Sequence, residues 1–428
     1  MSNYIVTNAT TLSNETVDIE IRDGRIDRIF AAVDGDPSRF DPDRRFDADG
    51  RLVTSSFSEP HIHLDTPLTA GEPRWNESGT LREGIGNWAE RKESLTKAGV
   101  KKRASRTLEW LASHGVTQVR AHVDTTESTL TGVEAVLELR QEFTGFVDVE
   151  IAGFPQDGLI GDGANLDNLR EALDMGVDVV GGIPHNERTR EGGVDSIQTI
   201  TDLAEEYDAP VDPHIDETDD PGSRFTEVLA HEAMERGIGD RTAASHTTAM
   251  HSHPDPYVDK LIPLIAESGM SVITNPAVNA ILQGRGDGYP RIRGHARIDQ
   301  LREAGVTVAM GHDSVMDPWY HYGIGDPIDM AYVLVHYAHM NGYDDVGTLW
   351  EMMLQENAEI LELESPSLEP GSEGSLVVFD ARDPFTVLRK RSPRLLVLKE
   401  GRPIAETTPS TTQVYRDGDE RTVEYLRE

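Results

Sequence analysis

The chain has 428 residues, 37% of them hydrophobic, enough to bury a large core in one big unit or in two smaller ones. Lysine and arginine total 40 against 76 acidic residues, a formal charge of −36 that opposes phosphate neutralisation and so argues against nucleic acid as a partner. Cysteine is absent, which removes disulfides, thiolate metal ligands, a cysteine nucleophile and iron–sulfur clusters together.

In chain order, residues 4–9, 17–22 and 25–31 alternate apolar and polar side chains and are separated by turn formers such as Asp23-Gly24. This pattern predicts short antiparallel strands. The rhythm then changes. Eight β-branched or apolar runs, at 53–63, 116–124, 147–155, 177–184, 210–217, 241–248, 271–276 and 306–313, alternate with segments that carry apolar residues at spacings of three and four. Those segments are 101–114, 131–143, 166–175, 196–207, 224–236 and 257–268, and two more helices are expected at 332–340 and 348–361. Near the C-terminus the antiparallel style returns at 375–380, 395–399 and 413–416, with Glu400-Gly401 as a turn. The prediction is an α/β protein: a (β/α)₈ TIM-type barrel over 53–365, and a small β-sandwich domain built from 1–52 and 366–428. Reactive groups of such a barrel sit at the carboxyl ends of its strands.

Four short stretches at those ends carry ligands for one divalent metal: Glu59-Pro60-His61-Ile62-His63-Leu64-Asp65, His214-Ile215-Asp216-Glu217, Ser245-His246-Thr247-Thr248 and Gly311-His312-Asp313-Ser314. His61 and His63 are two apart on a strand, so both rings face the same way. An isolated H-x-H is as often structural as functional, but here it ends the first barrel strand. His214 adds a third nitrogen and Asp313 an anionic oxygen, leaving a position open for water. A metal held in this way lowers the pKa of bound water enough to supply hydroxide near neutral pH. No lysine occurs between Lys102 and Lys260, so the fourth strand offers none to bridge two metals. A mononuclear site follows, unless Glu187 or another carboxylate bridges instead.

Glu217, three residues past His214, can reach over the metal, protonate a ring nitrogen and carry protons to the leaving group. The alternative is an exposed loop acid among Asp216, Asp219 and Asp220. His246 can orient the metal water without ligating, or be a satisfied core histidine. His122 and His185 end strands two and four and could line the pocket, whereas His312 should point away from Asp313. His251 and His253 share a proline-containing loop where a second metal is conceivable and surface exposure is the simpler reading. His114, His231, His295, His321, His336 and His339 are taken as structural. Gly284-Arg285-Gly286-Asp287-Gly288 does not follow a strand and open a helix, so it is read as a flexible pocket loop rather than a phosphate cradle.

Longer stretches carry a resemblance. Glu59-Pro60-His61-Ile62-His63-Leu64-Asp65-Thr66, Trp88-Ala89-Glu90-Arg91-Lys92, Phe154-Pro155-Gln156, Gly182-Ile183-Pro184-His185, Ala244-Ser245-His246-Thr247-Thr248-Ala249-Met250-His251-Ser252, Leu282-Gln283-Gly284-Arg285 and Asp317-Pro318-Trp319-Tyr320 resemble the cytosine deaminase branch of the amidohydrolase superfamily, nearly end to end. The resemblance implies Fe(2+) or Zn(2+) on His61, His63, His214 and Asp313, proton shuttling by Glu217 and assistance by His246. It also implies that Gln156 reads the amide edge of the base, that Trp319 walls the pocket, and that the protein is a homo-oligomer. A primary amide suits that edge because it offers both donor and acceptor. The chain departs from the branch at Ser314, where a second Asp is usual, and at Gly286, where a bulky aromatic is familiar. Both changes would enlarge or neutralise the pocket.

The expected activity is hydrolytic deamination of cytosine to uracil and ammonia. Alternatives are an amidohydrolase acting on another amino-heterocycle (isoguanine, isocytosine or an N-substituted amino-triazine) and, from a different class, a barrel that has lost catalysis and serves in binding or assembly. Deaminases with cysteine zinc ligands are excluded. The opening Met1-Ser2-Asn3-Tyr4-Ile5-Val6 has neither a basic start nor an apolar signal core, and no apolar run approaches the roughly 20 residues that span a membrane. A cytoplasmic protein with a small-molecule substrate and no membrane partner is expected. Acids spread along the whole chain, with lysine scarce beside arginine, suggest work in concentrated salt, where screening relieves self-repulsion; the alternative is an ordinary acidic enzyme.

Overall fold

The computed structural model describes residues 3–31 and 37–423; the remaining positions of the predicted terminal domain, 1, 2, 32–36 and 424–428, lie outside the described residues. The chain forms two compact units. One comprises the described residues up to Phe57, Ala112–Thr117 and those from Glu364 onward, and the other comprises Ser58–Leu111 and Gln118–Leu363.

In the first unit, β1 (Asn3–Thr10), β2 (Thr16–Arg22), β3 (Arg25–Ala31) and β4 (Arg45–Asp47) form a sheet in the order β3-β2-β1-β4. The β2–β3 turn is Asp23-Gly24 with φ of 51° and 83°, the left-handed pair that matches strand twist in a two-residue hairpin. Downstream of β5 (Val53–Ser55), a second sheet is completed within the same unit by residues near the C-terminus: β14 (Leu376–Phe379), β15 (Arg394–Lys399) and β16 (Arg402–Glu406) pair in the order β16-β15-β14-β5. Its turn, Glu400-Gly401, repeats the same geometry at φ of 49° and 69°. Val6, Ile19, Ile21, Val53, Val378 and Leu396 from both sheets share one apolar core. Truncating one such isoleucine to alanine would cost about 2–5 kcal/mol through lost burial and the cavity left behind. A separate exposed hairpin joins β17 (Gln413–Arg416) to β18 (Asp419–Thr422).

The second unit holds, wholly or from Ser58 and Gln118 onward, eight parallel strand positions in two sheets. β6 (Phe57–His63), β7 (Val116–Asp124), β8 (Asp148–Phe154) and β9 (Val179–Val180) lie in that order, as do β10 (His214–Ile215), β11 (Ala243–His246), β12 (Ser271–Thr274) and β13 (Val308–Met310). Single parallel bridges, Val180 to Val211, Val211 to Thr242 and Ile62 to Asp313, link the two sets on both sides. Helices Thr131–Phe143, Gly163–Asp174, Arg190–Tyr207, Phe225–Arg236 and Asp255–Ser268 connect successive strands. Two of them start at a capping side chain: Asp162 and Thr189 accept from Ala164 N and Gly192 N. Gly237 and Gly269, at φ of 66° and 74°, end the last two.

Three differences from the predicted elements have physical reasons. The run 53–63 is two strands, because hydrogen bonding changes partner at Ser56–Phe57: Ser56 N donates to Ser375 O and Phe57 N to Gly115 O. The strands expected at 210–217 and 306–313 shrink to two and three residues. In the former, Pro210 and Pro213 lack the N–H that a ladder needs. Helices Leu81–Lys92, Pro276–Leu282 and Ile298–Glu303 leave no clear trace in the sequence pattern, since they are short or glycine-interrupted and carry little periodicity.

Candidate active site

β6 ends in His61 and His63, and the stretch after β13 is bound alongside it: Asp313 N donates to His61 O at 2.8 Å and His63 N donates to Asp313 O at 3.1 Å. Asp313 sits at φ 65°, a left-handed turn that brings its side chain back over β6. Its Oδ1 lies 3.6 Å from His61 Nε2 and 3.3 Å from His63 Nε2, and His63 Nε2 lies 3.1 Å from His214 Nε2. One atom from each of His61, His63, His214 and Asp313 falls within 4.8 Å of the others, and all four side chains are buried.

These residues fit a metal ion. His61 Nε2 is buried without a hydrogen-bond partner, on the side facing Asp313. Two imidazole nitrogens 3.1 Å apart and a carboxylate at the same point leave concentrated lone pairs that a cation satisfies. Burial, reinforced by the neighbouring imidazoles, holds His214 well below the ordinary histidine range, so it is a neutral ligand-type ring. Burial alone would raise Asp313, yet its contacts with His61 and His63 hold it well below the usual carboxylate range.

A buried set of polar groups stands behind His61. Its Nδ1 lies 2.8 Å from Ser245 Oγ, and that hydroxyl donates to Asp212 Oδ1 at 2.6 Å. Arg120 Nη1 donates to Asp212 Oδ2 at 3.3 Å, and His122 Nε2 is 3.4 Å from the same oxygen. Burial and the His61 ring bring His122 down to about 3, so it is neutral. Glu59 Oε1 accepts from the backbone N–H groups of His61 and His312, both at 3.0 Å. Burial pushes that carboxyl up to about 8.

Above the four ligand-type residues is a pocket lined by Phe154, Gln156, Glu217, Ser314 and Trp319 together with Leu81, Ile183, Val278 and Leu282. The Phe154 ring stacks on His214 with centroids 4.0 Å apart, and Trp319 lies over His63 at 6.4 Å. Leu81 and Gly84 belong to helix Leu81–Lys92, and a Cβ at Gly84 would meet Trp319 Cδ1 at 2.5 Å. That close approach is why glycine occupies a helical position that otherwise disfavours it.

Glu217 is 3% exposed and faces the pocket, so the surface-loop alternative fails. Its Oε1 lies 3.5 Å from His246 Nδ1. Burial, and then the charge of Asp313, pushes its carboxyl well above the ordinary value. His246, at φ 74°, is held by the Asn279 side-chain amide at 3.0 Å, and burial keeps it neutral. Asp216, beside Glu217 in the chain, turns away from the pocket chemistry. It accepts from Ser223 Oγ, Phe225 N, Thr226 N and Thr226 Oγ1, fixing the start of helix Phe225–Arg236.

Other expectations change. His122 lies beneath the ligand-type group rather than on the pocket wall. His253 is buried, with Nε2 2.8 Å from Ser223 O, and among the described residues no set of three ligand-type groups gathers at His251 or His253. Glu187 Oε1 accepts from Leu159 N and Ile160 N, and among the described residues Glu187 belongs to no group of ligand-type side chains. Gly286 is exposed, and a Cβ there would meet nothing within 4 Å, so it does not shape the pocket wall. His312 points away from the group, its Nε2 accepting from Gly325 N at 3.0 Å. Sequence reasoning missed Ser245, Asp212, Arg120, Asn279 and the apolar wall from Leu81, Val278 and Leu282; only Ser245 and Leu282 lie within the motif-bearing stretches.

Among the described residues, no helix is long and apolar enough to cross a membrane. A profile described as the amidohydrolase family matches residues 44–142 and 137–405. The structure is similar to that of 5-methylcytosine deaminase from Klebsiella pneumoniae liganded with 5-fluorocytosine, with a TM-score of 0.90 and 39% identity over 99% of each chain. By sequence, the chain is 29% identical to N-isopropylammelide isopropyl amidohydrolase of Pseudomonas sp. (strain ADP), over 94% of this chain and 97% of the relative. It is 26% identical to pterin deaminase of Rhizobium rhizogenes, over 94% and 90% respectively. With the buried His/Asp group at the strand ends, these matches show that the chain belongs to the amidohydrolase family, as a metal-dependent hydrolase.

Proposed function

We propose that the protein hydrolytically deaminates cytosine or a 5-substituted cytosine, releasing ammonia as water replaces the exocyclic amine. The observation that carries this reading is a buried ligand-type group roofed by one carboxyl, one primary amide and an aromatic wall. We further propose that the eight parallel strands close as a (β/α)₈ barrel, a reading supported by the bridges on both sides of the two sheets.

His61, His63, His214 and Asp313 are the residues that would hold a single Fe(2+) or Zn(2+). When bound, such an ion supplies acidity to coordinated water and so makes a nucleophile available near neutral pH. Glu217, held protonated by burial, donates its proton to the ring nitrogen, takes up the proton that the adding solvent gives up, and passes that proton to the departing amine. His246, neutral and fixed by Asn279, orients the attacking solvent from beside Glu217. Gln156 matches the lactam edge of the ring with its donor and acceptor. Phe154 and Trp319 cover the ring faces, and Leu81, Val278 and Leu282 give the pocket an apolar side that tolerates a methyl group.

The neutral Ser314 beside Asp313 keeps a second reading in play, another amino-heterocycle such as isoguanine, isocytosine or an amino-triazine. We also read the formal charge of −36 as suited to concentrated salt in the cytoplasm. Metal-loaded protein should be assayed for ammonia release from cytosine, 5-methylcytosine, isocytosine, isoguanine and ammelide, in high and low salt. Release from cytosine or 5-methylcytosine, faster in high salt, is the expected result; release only from the others would replace the substrate assignment.

A further inference from the structure

The stretch Trp88-Ala89-Glu90-Arg91-Lys92 has no part in the chemistry above, yet it contains a buried cation. In a chain with seven lysines, Lys92 is 8% exposed, and its ammonium reaches three acceptors: Asp124 Oδ2 at 3.0 Å, Thr126 Oγ1 at 2.8 Å and the Asp157 carboxylate. An ammonium has three N–H donors, so the inventory closes. Arginine's planar fork would not meet three convergent acceptors.

The acceptors come from two places in the chain. Asp124 ends β7, and its Oδ2 also accepts from Trp88 Nε1 at 2.9 Å, so helix Leu81–Lys92, which roofs the pocket, is fastened twice to one carboxylate. Asp157 follows Gln156 directly in the loop after β8, and Thr126 bonds to both acids. Among the described residues, the Gln156 side-chain amide forms no hydrogen bond and lines the pocket, so the backbone of its loop is what aims it. The same helix carries Leu81 at its pocket end and packs Trp88 into the cluster of Val278, Leu282 and Trp319.

We propose that Lys92 is a positioning residue: by clamping the roof helix Leu81–Lys92 to Asp124 and Asp157, it holds Gln156 at the edge of the substrate ring. The inference rests on the proposed role of Gln156 but not on which heterocycle is deaminated. Removing the ammonium leaves two carboxylates, one of them buried, sharing Thr126 without a counter-charge, and the exposed end of that pair is the loop of Gln156.

The test uses the full-length, metal-loaded protein as wild type, Lys92→Met, Gln156→Ala and the double variant, on whichever heterocycle of the panel the wild type turns over. Hydrogen exchange of segments 81–92 and 155–159 is read alongside. Lys92→Met is expected to raise KM about tenfold with kcat within about threefold, and to add less than about twofold once Gln156 is alanine. Both segments should exchange faster while the rest of the unit keeps its protection. Full multiplicative effects in the double variant, or unchanged exchange in the two segments, would overturn the proposal. If Lys92→Met fails to fold, Asp157→Asn, at a side chain 39% exposed, carries the same cycle. A wild type inactive on the whole panel would defeat the substrate reading alone, and exchange in the two segments would then decide the clamp.

Discussion

The Ser245 hydroxyl lies 2.8 Å from His61 Nδ1, and it is the buried polar group through which Asp212 reaches the ligand-type ring. A ring nitrogen so engaged has its tautomer and tilt set before any ion arrives, leaving Nε2 free on the opposite side. Ser245→Ala should therefore lower metal affinity by about 10–100-fold with the fold intact. Competition with a graded chelator measures it, and Ser245→Thr, which keeps a hydroxyl, should recover most of the loss.

Among the described residues the Glu217 carboxyl makes no hydrogen bond to the backbone, and it lies 3.5 Å from His246 Nδ1. Glu217→Gln should keep a full equivalent of metal while turnover falls by about 10²–10⁴-fold, because the amide matches the shape but carries no transferable proton. Elemental analysis and ammonia release on the same sample decide it. Loss of the ion from this variant would remove Glu217 from the role of proton carrier.

Ser314 is buried in the pocket lining next to Asp313. Ser314→Asp introduces a second carboxylate beside the substrate's amino group, which should change the ratio of kcat/KM between cytosine and isoguanine by about tenfold or more, equivalent to ~1.4 kcal/mol. Metal content should stay constant. An unaltered ratio would show that substrate choice is made elsewhere on the wall.

Stability should carry a pH signature from Glu356, which is away from the pocket. Burial, opposed by Arg302, pushes its carboxyl up to about 7. The folded state then binds this proton more tightly than the unfolded chain, so the contribution of Glu356 to stability is full below the unfolded value of 4.5, falls as pH rises toward about 7 and is lost above it. The drop is on the order of 3 kcal/mol. Thermal melts of wild type and Glu356→Gln at constant high salt should diverge across that window, with the glutamine variant flat in the difference.

Much of this could be read from the residues alone. The alternation of His61 and His63 and the strand-end positions of His214 and Asp313 place a ligand set without any knowledge of contacts, because period-two geometry is local. The hairpins at Asp23-Gly24 and Glu400-Gly401 were legible for the same reason. Ser245 was not. Strict alternation sends it to the face opposite His246, and only the left-handed backbone at His246 lets both serve one site. The contact from Ser245 to His61 also spans 184 residues, a distance across which no periodicity speaks. The roof helix Leu81–Lys92 escaped because two glycines weaken its pattern, one of them required by the Trp319 ring.

Left-handed residues at the strand ends have a consequence of their own. Asp216, His246 and Asp313 adopt φ of 50°, 74° and 65°. Each such non-glycine residue costs roughly 1–2 kcal/mol and persists only where its surroundings enforce it. The surroundings here are the backbone bonds between Asp313 and His61/His63 and the many donors met by Asp216. The cage is thus already sprung into shape by the polypeptide, and capturing its ion resembles seating a ball in a finished socket. Stripped protein should keep its melting profile nearly unchanged apart from simple mass action, and should reload without a refolding lag.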